Sequence, residues 1–121
     1  MKNRVDFDLS AMKKENIVQR KSYDFALRIV KTVLLIRKEK REYILSKQIL
    51  RSATSIGANV EEAIGAQSKK DFISKISVAY KESRECHYWL RLLRDSELLD
   101  DSESNKLLEY CEELMKILAS I

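Results

Sequence analysis

The chain has no proline and only two glycines among its 121 residues. These are the residues that punctuate turns and interrupt helices, so their scarcity argues against a turn-rich sheet protein and favours long helices. No run of about eighteen apolar residues occurs, which argues against a membrane-spanning helix. The first twenty residues, Met1 to Arg20, mix Lys, Arg, Asp and Glu without the hydrophobic centre of a secretory signal. Only one histidine is present, His87, with Arg84 three residues before it and Leu90 three after. The Glu-x-x-His pairing of di-iron bundles is therefore missing. The two cysteines, Cys86 and Cys111, have neither metal-site nor redox-motif spacing and read as buried thiols in a reducing cytoplasm. Glu61-Glu62 and Glu112-Glu113 are adjacent carboxylates, and on a helix such neighbours diverge by about 100° rather than converge on one site. Cys86 and His87 point apart for the same reason, which argues against a thiol with its base. No glycine-rich phosphate loop is found. The expectation is a protein that is not an enzyme and uses no metal or cofactor.

What the chain does have is helical periodicity. Its length is that of one domain, able to bury about two thirds of the surface its unfolded form exposes. Met1 to Lys14 lacks sustained periodicity and reads as a polar arm (1–14), whose end can join the first helix, before a helical domain (15–121). The first main helix is expected from near Asn16 or Ser22 to about Lys38, with Phe25, Ala26, Ile29, Val33 and Ile36 on its apolar face. After a turn at Glu39 to Glu42, a second helix covers about Tyr43 to Ala66. Ser68, followed three residues later by Asp71, resembles a capping box and opens a third helix that continues to about Ser96 through Phe72, Ile73, Ile76, Ala79 and Tyr80. Ser102 with Glu103 opens the last, whose stripe is Leu107, Leu108, Cys111, Leu114, Met115 and Leu118. Short links between long amphipathic helices make neighbours antiparallel. The fold class is all-α, an antiparallel up-down-up-down four-helix bundle.

The second helix carries the densest signal. Ile49, Ala53, Ile56, Val60 and Ala63 form a stripe at spacings of three and four. Ser52, Ser55, Gly57, Ala58 and Gly65 fill much of the rest, and residues this small admit a neighbouring backbone. Because Gly57 and Gly65 each cost a helix about 1 kcal/mol relative to Ala, close packing is the expected reason for both, and Leu at Gly57 or Ala58 is expected to overpack the bundle. Asn59 lies among the apolar positions and needs a partner if buried. In the third helix, Tyr88, Trp89 and Leu92 add apolar surface beyond the stripe of Cys86, Leu90 and Leu93; Tyr88 and Trp89 either cover the end of the bundle or, as is expected of the three together, form a subunit interface.

Charge is segregated along the chain. Residues 1–51 carry 14 Lys and Arg against 6 Asp and Glu, whereas residues 95–121 carry 2 against 8. A basic front is joined to an acidic tail, implying a dipolar surface or an acidic edge that docks on a basic one. On the third helix Lys70, Ser74, Ser77, Lys81, Arg84 and Arg91 align; on the first, Lys21, Arg28, Lys31 and Lys38 do. Such lines are either solvated helix faces or tracks for phosphates, and on the second reading Arg28, Lys31, Lys81, Arg84 and Arg91 are the candidate contacts.

The order Leu45-Ser-Lys-Gln-Ile-Leu-Arg-Ser-Ala-Thr-Ser-Ile-Gly-Ala-Asn-Val-Glu-Glu-Ala63, then Ser68-Lys-Lys-Asp-Phe72 and Tyr88-Trp-Leu-Arg-Leu-Leu93, resembles the bacterial 23S rRNA intervening-sequence protein family. The resemblance runs from about residue 16 to the end. It implies a small up-down bundle assembling as a homopentameric ring. The family is in turn similar to the accessory variability determinant of diversity-generating retroelements, a pentameric bundle that binds nucleic acid and a reverse transcriptase. Those relatives suggest nucleic-acid or ribonucleoprotein binding, and with the composition the expectation is a non-enzymatic, cytoplasmic, ring-forming bundle whose basic surface binds RNA or DNA. The competing expectation is a structural oligomer or protein-protein adaptor without nucleic-acid contact.

Overall fold

The computed structural model describes residues 9–121, with side chains from Lys13 onward. Four helices follow one another: α1 (Leu9–Lys40), α2 (Ile44–Ile64), α3 (Lys69–Asp95) and α4 (Asp101–Ser120). Among the described residues there is no strand. α1 starts earlier than the expected Asn16 or Ser22, because the inner stripe of Ser22 and Phe25 runs on through buried Val18 and Glu15. Residues 1–8 of the expected arm lie outside the described residues.

Side-chain contacts between helices give the topology directly. Gln19 donates to Glu61 at 3.1 Å and Arg37 to Ser46 at 3.0 Å, so α1 and α2 run antiparallel. Lys75 meets Glu62 at 3.4 Å and Arg51 meets Glu82 at 3.0 Å, which sets α2 against α3 in the same sense. His87 pairs with Glu112 at 2.9 Å and Arg94 donates to Asn105 at 3.2 Å across α3 and α4. Lys14 donates to the Ser120 carbonyl, Lys21 meets Glu113 at 2.6 Å and Arg28 meets Glu103, closing α4 back onto α1. Each helix thus packs on two neighbours, and α1 and α3 stand at opposite corners. The bundle is up-down-up-down.

Turns form here without proline, and with little help from glycine. Arg41 (φ 52°) and Glu97 (φ 63°) adopt the left-handed conformation that usually selects glycine. At the end of α3, the Glu97 amide bonds to the Arg94 carbonyl and the Leu98 amide to that of Leu93, both at 3.0 Å, which satisfies two orphan carbonyls. Carboxylates and a serine cap the helix starts. Glu42 accepts from the amides of Ile44, Leu45 and Ser46 at the start of α2. Burial opposes ionisation of this carboxyl, but those three amides and the Arg37 charge outweigh it and hold its pKa below the ordinary value. Ser68 accepts from the Asp71 amide at 3.1 Å, as the capping pattern implied. α4 is capped by Asp100, which accepts from the Glu103 amide at 2.8 Å, so the helix opens at Asp101, one residue before the expected Ser102.

The core consists mostly of the expected stripes: Phe25, Ile29, Val33 and Ile36; Ile49, Ala53, Ile56, Val60 and Ala63; Phe72, Ile76, Leu90 and Leu93; Leu107, Leu114 and Leu118. Ile73 is exposed instead, and Ala26 and Met115 are half-buried at the margins of their stripes. Five buried serines, Ser22, Ser46, Ser52, Ser83 and Ser104, each donate to a backbone carbonyl three to five residues back. They enter helix contacts as small residues whose hydroxyls are already satisfied, which is what burial of a polar group requires. Gly57 faces α1, where an added Cβ would sit 3.5 Å from the Ser22 carbonyl oxygen. Two expectations for this stretch fail. Gly65 has only its own helix's carbonyls nearby, at 3.9 Å, so no close neighbour demands a glycine there. Ala58 faces solvent, because it follows Gly57 by 100° of turn, so leucine there overpacks nothing. Half-buried Asn59 donates to the Ser55 carbonyl at 2.8 Å, a partner within its own helix.

Candidate nucleic-acid interface

The basic front and acidic tail of the sequence meet inside one molecule. The α1–α4 seam joins Lys21 to Glu113 and Arg28 to Glu103, with Lys21 5.9 Å from the Tyr110 ring centre and Phe25 packed on that ring at 5.5 Å. The segregation of charge is thereby partly used to close the bundle. Arg28 is held by two hydrogen bonds to the Glu103 carboxylate, at 3.3 and 3.4 Å, and is not a free cation. Lys31, one turn on, is exposed and unpaired.

The α3 line has a different surrounding. Lys70, Ser74, Ser77, Lys81, Arg84 and Arg91 are all exposed, on the side of the helix away from the stripe that enters the core. The nearest acidic residues in sequence, Glu82 and Glu85, both turn towards α2, where Arg51 engages them. Arg94 takes Asp95 in the same way, at 2.9 Å. Lys81, Arg84 and Arg91 are left without a carboxylate partner. Each arginine instead lies near a ring, Arg84 at 6.0 Å from the Tyr80 centre and Arg91 at 5.8 Å from Tyr88. Because α1 and α3 occupy opposite corners, Lys31 and Arg28 do not share a face with Lys81, Arg84 and Arg91.

Of the three residues expected at a subunit interface, only Tyr88 is exposed. Trp89 packs against the core of its own bundle and donates Nε1 to Glu85 at 3.1 Å, and Leu92 is half-buried. The larger uncovered apolar face is on α1. Tyr23, Leu27 and Leu34 expose 64%, 44% and 59% of their surface, directly opposite the buried stripe. Their spacing of four and seven was present in the sequence, but large aromatics are the usual interface anchors, and Tyr88 and Trp89 put the expected interface on α3.

Among the described residues no cluster of three His, Cys, Asp or Glu side chains could hold a metal ion. Cys86 and Cys111 are buried and free, and Cys111 donates to the Ser83 carbonyl at 3.2 Å. The neighbouring Cys111 thiol, and then burial, push the Cys86 thiol well above its ordinary value, so it is an inert core thiol at neutral pH. No helix among the described residues is long and apolar enough to cross a membrane.

Comparison with known proteins adds the family. The model of the 23S rRNA-intervening sequence proteins matches residues 14–120. The chain belongs to this family. A solved structure similar to this 23S rRNA-intervening sequence protein is that of a protein with unknown function from the S23 ribosomal protein family, from Bacteroides thetaiotaomicron. The two are 45% identical, with a TM-score of 0.87 over 88% of this chain and 96% of that one. Among curated proteins nothing matches.

Proposed function

We propose that this protein is a non-enzymatic, self-assembling bundle that binds RNA or DNA through the outer face of α3. The observation that supports this reading is the unpaired line of Lys81, Arg84 and Arg91, kept free of carboxylates by Arg51, which engages both Glu82 and Glu85. Cations so placed, without carboxylate partners, gain most by meeting phosphates and releasing counterions. Arg28, satisfied by Glu103, serves the bundle instead. Homopentamer formation in the cytoplasm, as the family resemblance implies, fits a chain that leaves Tyr23, Leu27 and Leu34 uncovered, and a ring would multiply the basic line. The test is binding to RNA, duplex DNA and an RNA–DNA hybrid at two salt concentrations. Affinity that falls steeply with salt supports the reading; absence of binding to all three at low salt refutes it.

The same α1 face favours a second reading, a structural oligomer or a protein-protein adaptor, for example to a reverse transcriptase, without nucleic-acid contact. Mass measurement together with the binding test separates the two. Assembly without nucleic-acid binding leaves the adaptor.

A further inference from the structure

The face that carries the unpaired cations also carries a ring. Tyr88 exposes 47% of its surface and lies one helical turn from both Arg84 and Arg91, so that it stands between two cations about 10 Å apart along the axis. Its position is firmly backed. Trp89 meets it edge-on, with ring centres 5.1 Å apart and planes at 69°, and Trp89 is itself held by the core and by Glu85. Arg91 lies 5.8 Å from the centre of the Tyr88 ring, and Arg84 repeats the pairing with Tyr80.

Tracking phosphates needs only the cations. A duplex keeps the faces of its bases stacked inside, so an exposed, rigidly mounted tyrosine offers it little; a single strand presents bases that can stack on an aromatic ring or on a guanidinium plane. We propose that the α3 face is a site for single-stranded nucleic acid, with one base stacked at Tyr88 and the flanking phosphates on Arg84 and Arg91. This rests on the nucleic-acid reading above and adds to it the strand state and the stacking residue.

Trp89 supplies an internal probe, being the only tryptophan in the chain and in contact with Tyr88. The full chain is titrated with oligouridylate, with oligothymidylate and with a duplex of matched length, reading both affinity and Trp89 emission. The two single strands separate RNA from DNA as the source of the shared chemistry. Single strands are expected to bind more tightly than the duplex and to change the emission, whereas the duplex does not. Tyr88→Ala is expected to weaken single-strand binding roughly 5- to 150-fold, the range measured for loss of one stacked base, while Tyr88→Phe stays within about twofold of wild type. Neither substitution should change duplex binding or subunit number. Duplex binding as tight as single-strand binding overturns the inference. So does Tyr88→Ala binding single strands as wild type does. In either case, if reversing the charge at Lys81 and Arg84 still abolishes binding, the broader reading survives. A wild-type chain that binds no nucleic acid overturns both.

Discussion

Reversing the charge at Lys81 and Arg84 together, as Lys81→Glu with Arg84→Glu, isolates the α3 line from the rest of the molecule. Each phosphate neutralised contributes about 0.9 to the slope of log affinity against log salt for duplex DNA, and about 0.7 for a single strand. With Lys81, Arg84 and Arg91 engaged, one protomer should show a slope of about 2.7 or 2.1, which weakens binding roughly 40-fold or 20-fold between about 50 and 200 mM salt. The double reversal leaves Arg91 alone, so the slope should drop by about 1.8 or 1.4, and by a multiple of that if several protomers grip one strand. The fold should persist, because neither side chain has an ionic partner to lose. The remaining costs are small. Arg84 gives up its partly exposed contact with the Tyr80 ring, worth about 0.5 to 1 kcal/mol, and Lys81→Glu faces Glu85 one turn away at a cost of about 0.5 kcal/mol or less. Fluorescence anisotropy over a salt series gives the slope, and calorimetry and light scattering confirm fold and assembly. A variant that is folded and assembled like wild type but keeps its slope would mean that phosphates do not meet this face.

Arg28→Ala supplies the contrast: it should lower stability by up to about 1 kcal/mol through loss of the Glu103 bridge and leave the salt slope unchanged, as denaturant titration and the same anisotropy series will show. Glu42→Gln should cost about 1 kcal/mol at neutral pH by weakening the cap on α2. Since the folded pKa of Glu42 lies below the unfolded one, that stabilisation is complete above the unfolded value and is lost as pH falls through the folded value; melting curves of variant and wild type should differ at pH 7 and converge once the pH has fallen below the folded value. Gly57→Leu should cost roughly 1 to 3 kcal/mol, because the side chain must enter the contact with Ser22, whereas exposed Ala58→Leu should stay within about 0.5 kcal/mol; equal effects at the two positions would contradict the packing described. Leu27→Glu with Leu34→Glu should reduce the mass seen by light scattering if α1 is the subunit contact, and an unchanged assembly would move that contact elsewhere.

Periodicity alone determined the class of fold and most of the core. Val33, Ile56, Val60, Leu90 and Leu114 recur at helical spacing, and helices joined by only a few residues have little choice but to pack side by side. The limits of α2 and α3 lie within two residues of those expected, whereas the start of α1 was less legible. The start of α1 was placed late because its inner stripe continues through Glu15 and Ser22, polar residues that break an apolar pattern yet are buried. The turns carry no glycine where the backbone turns left-handed, at Arg41 and Glu97, and the cap of α2 is a glutamate outside the helix, so composition offered no marker for either. The candidate phosphate contacts could be aligned within a helix from spacing, but a linear pattern holds no information about which helices are neighbours. Only the tertiary structure decided that α4 neutralises Arg28, that Arg51 engages Glu82 and Glu85 and leaves Lys81, Arg84 and Arg91 unpaired, and that the uncovered apolar face is on α1. Charge pairing and burial depend on what lies across a helix interface, and that distance is set by packing, not by order along the chain.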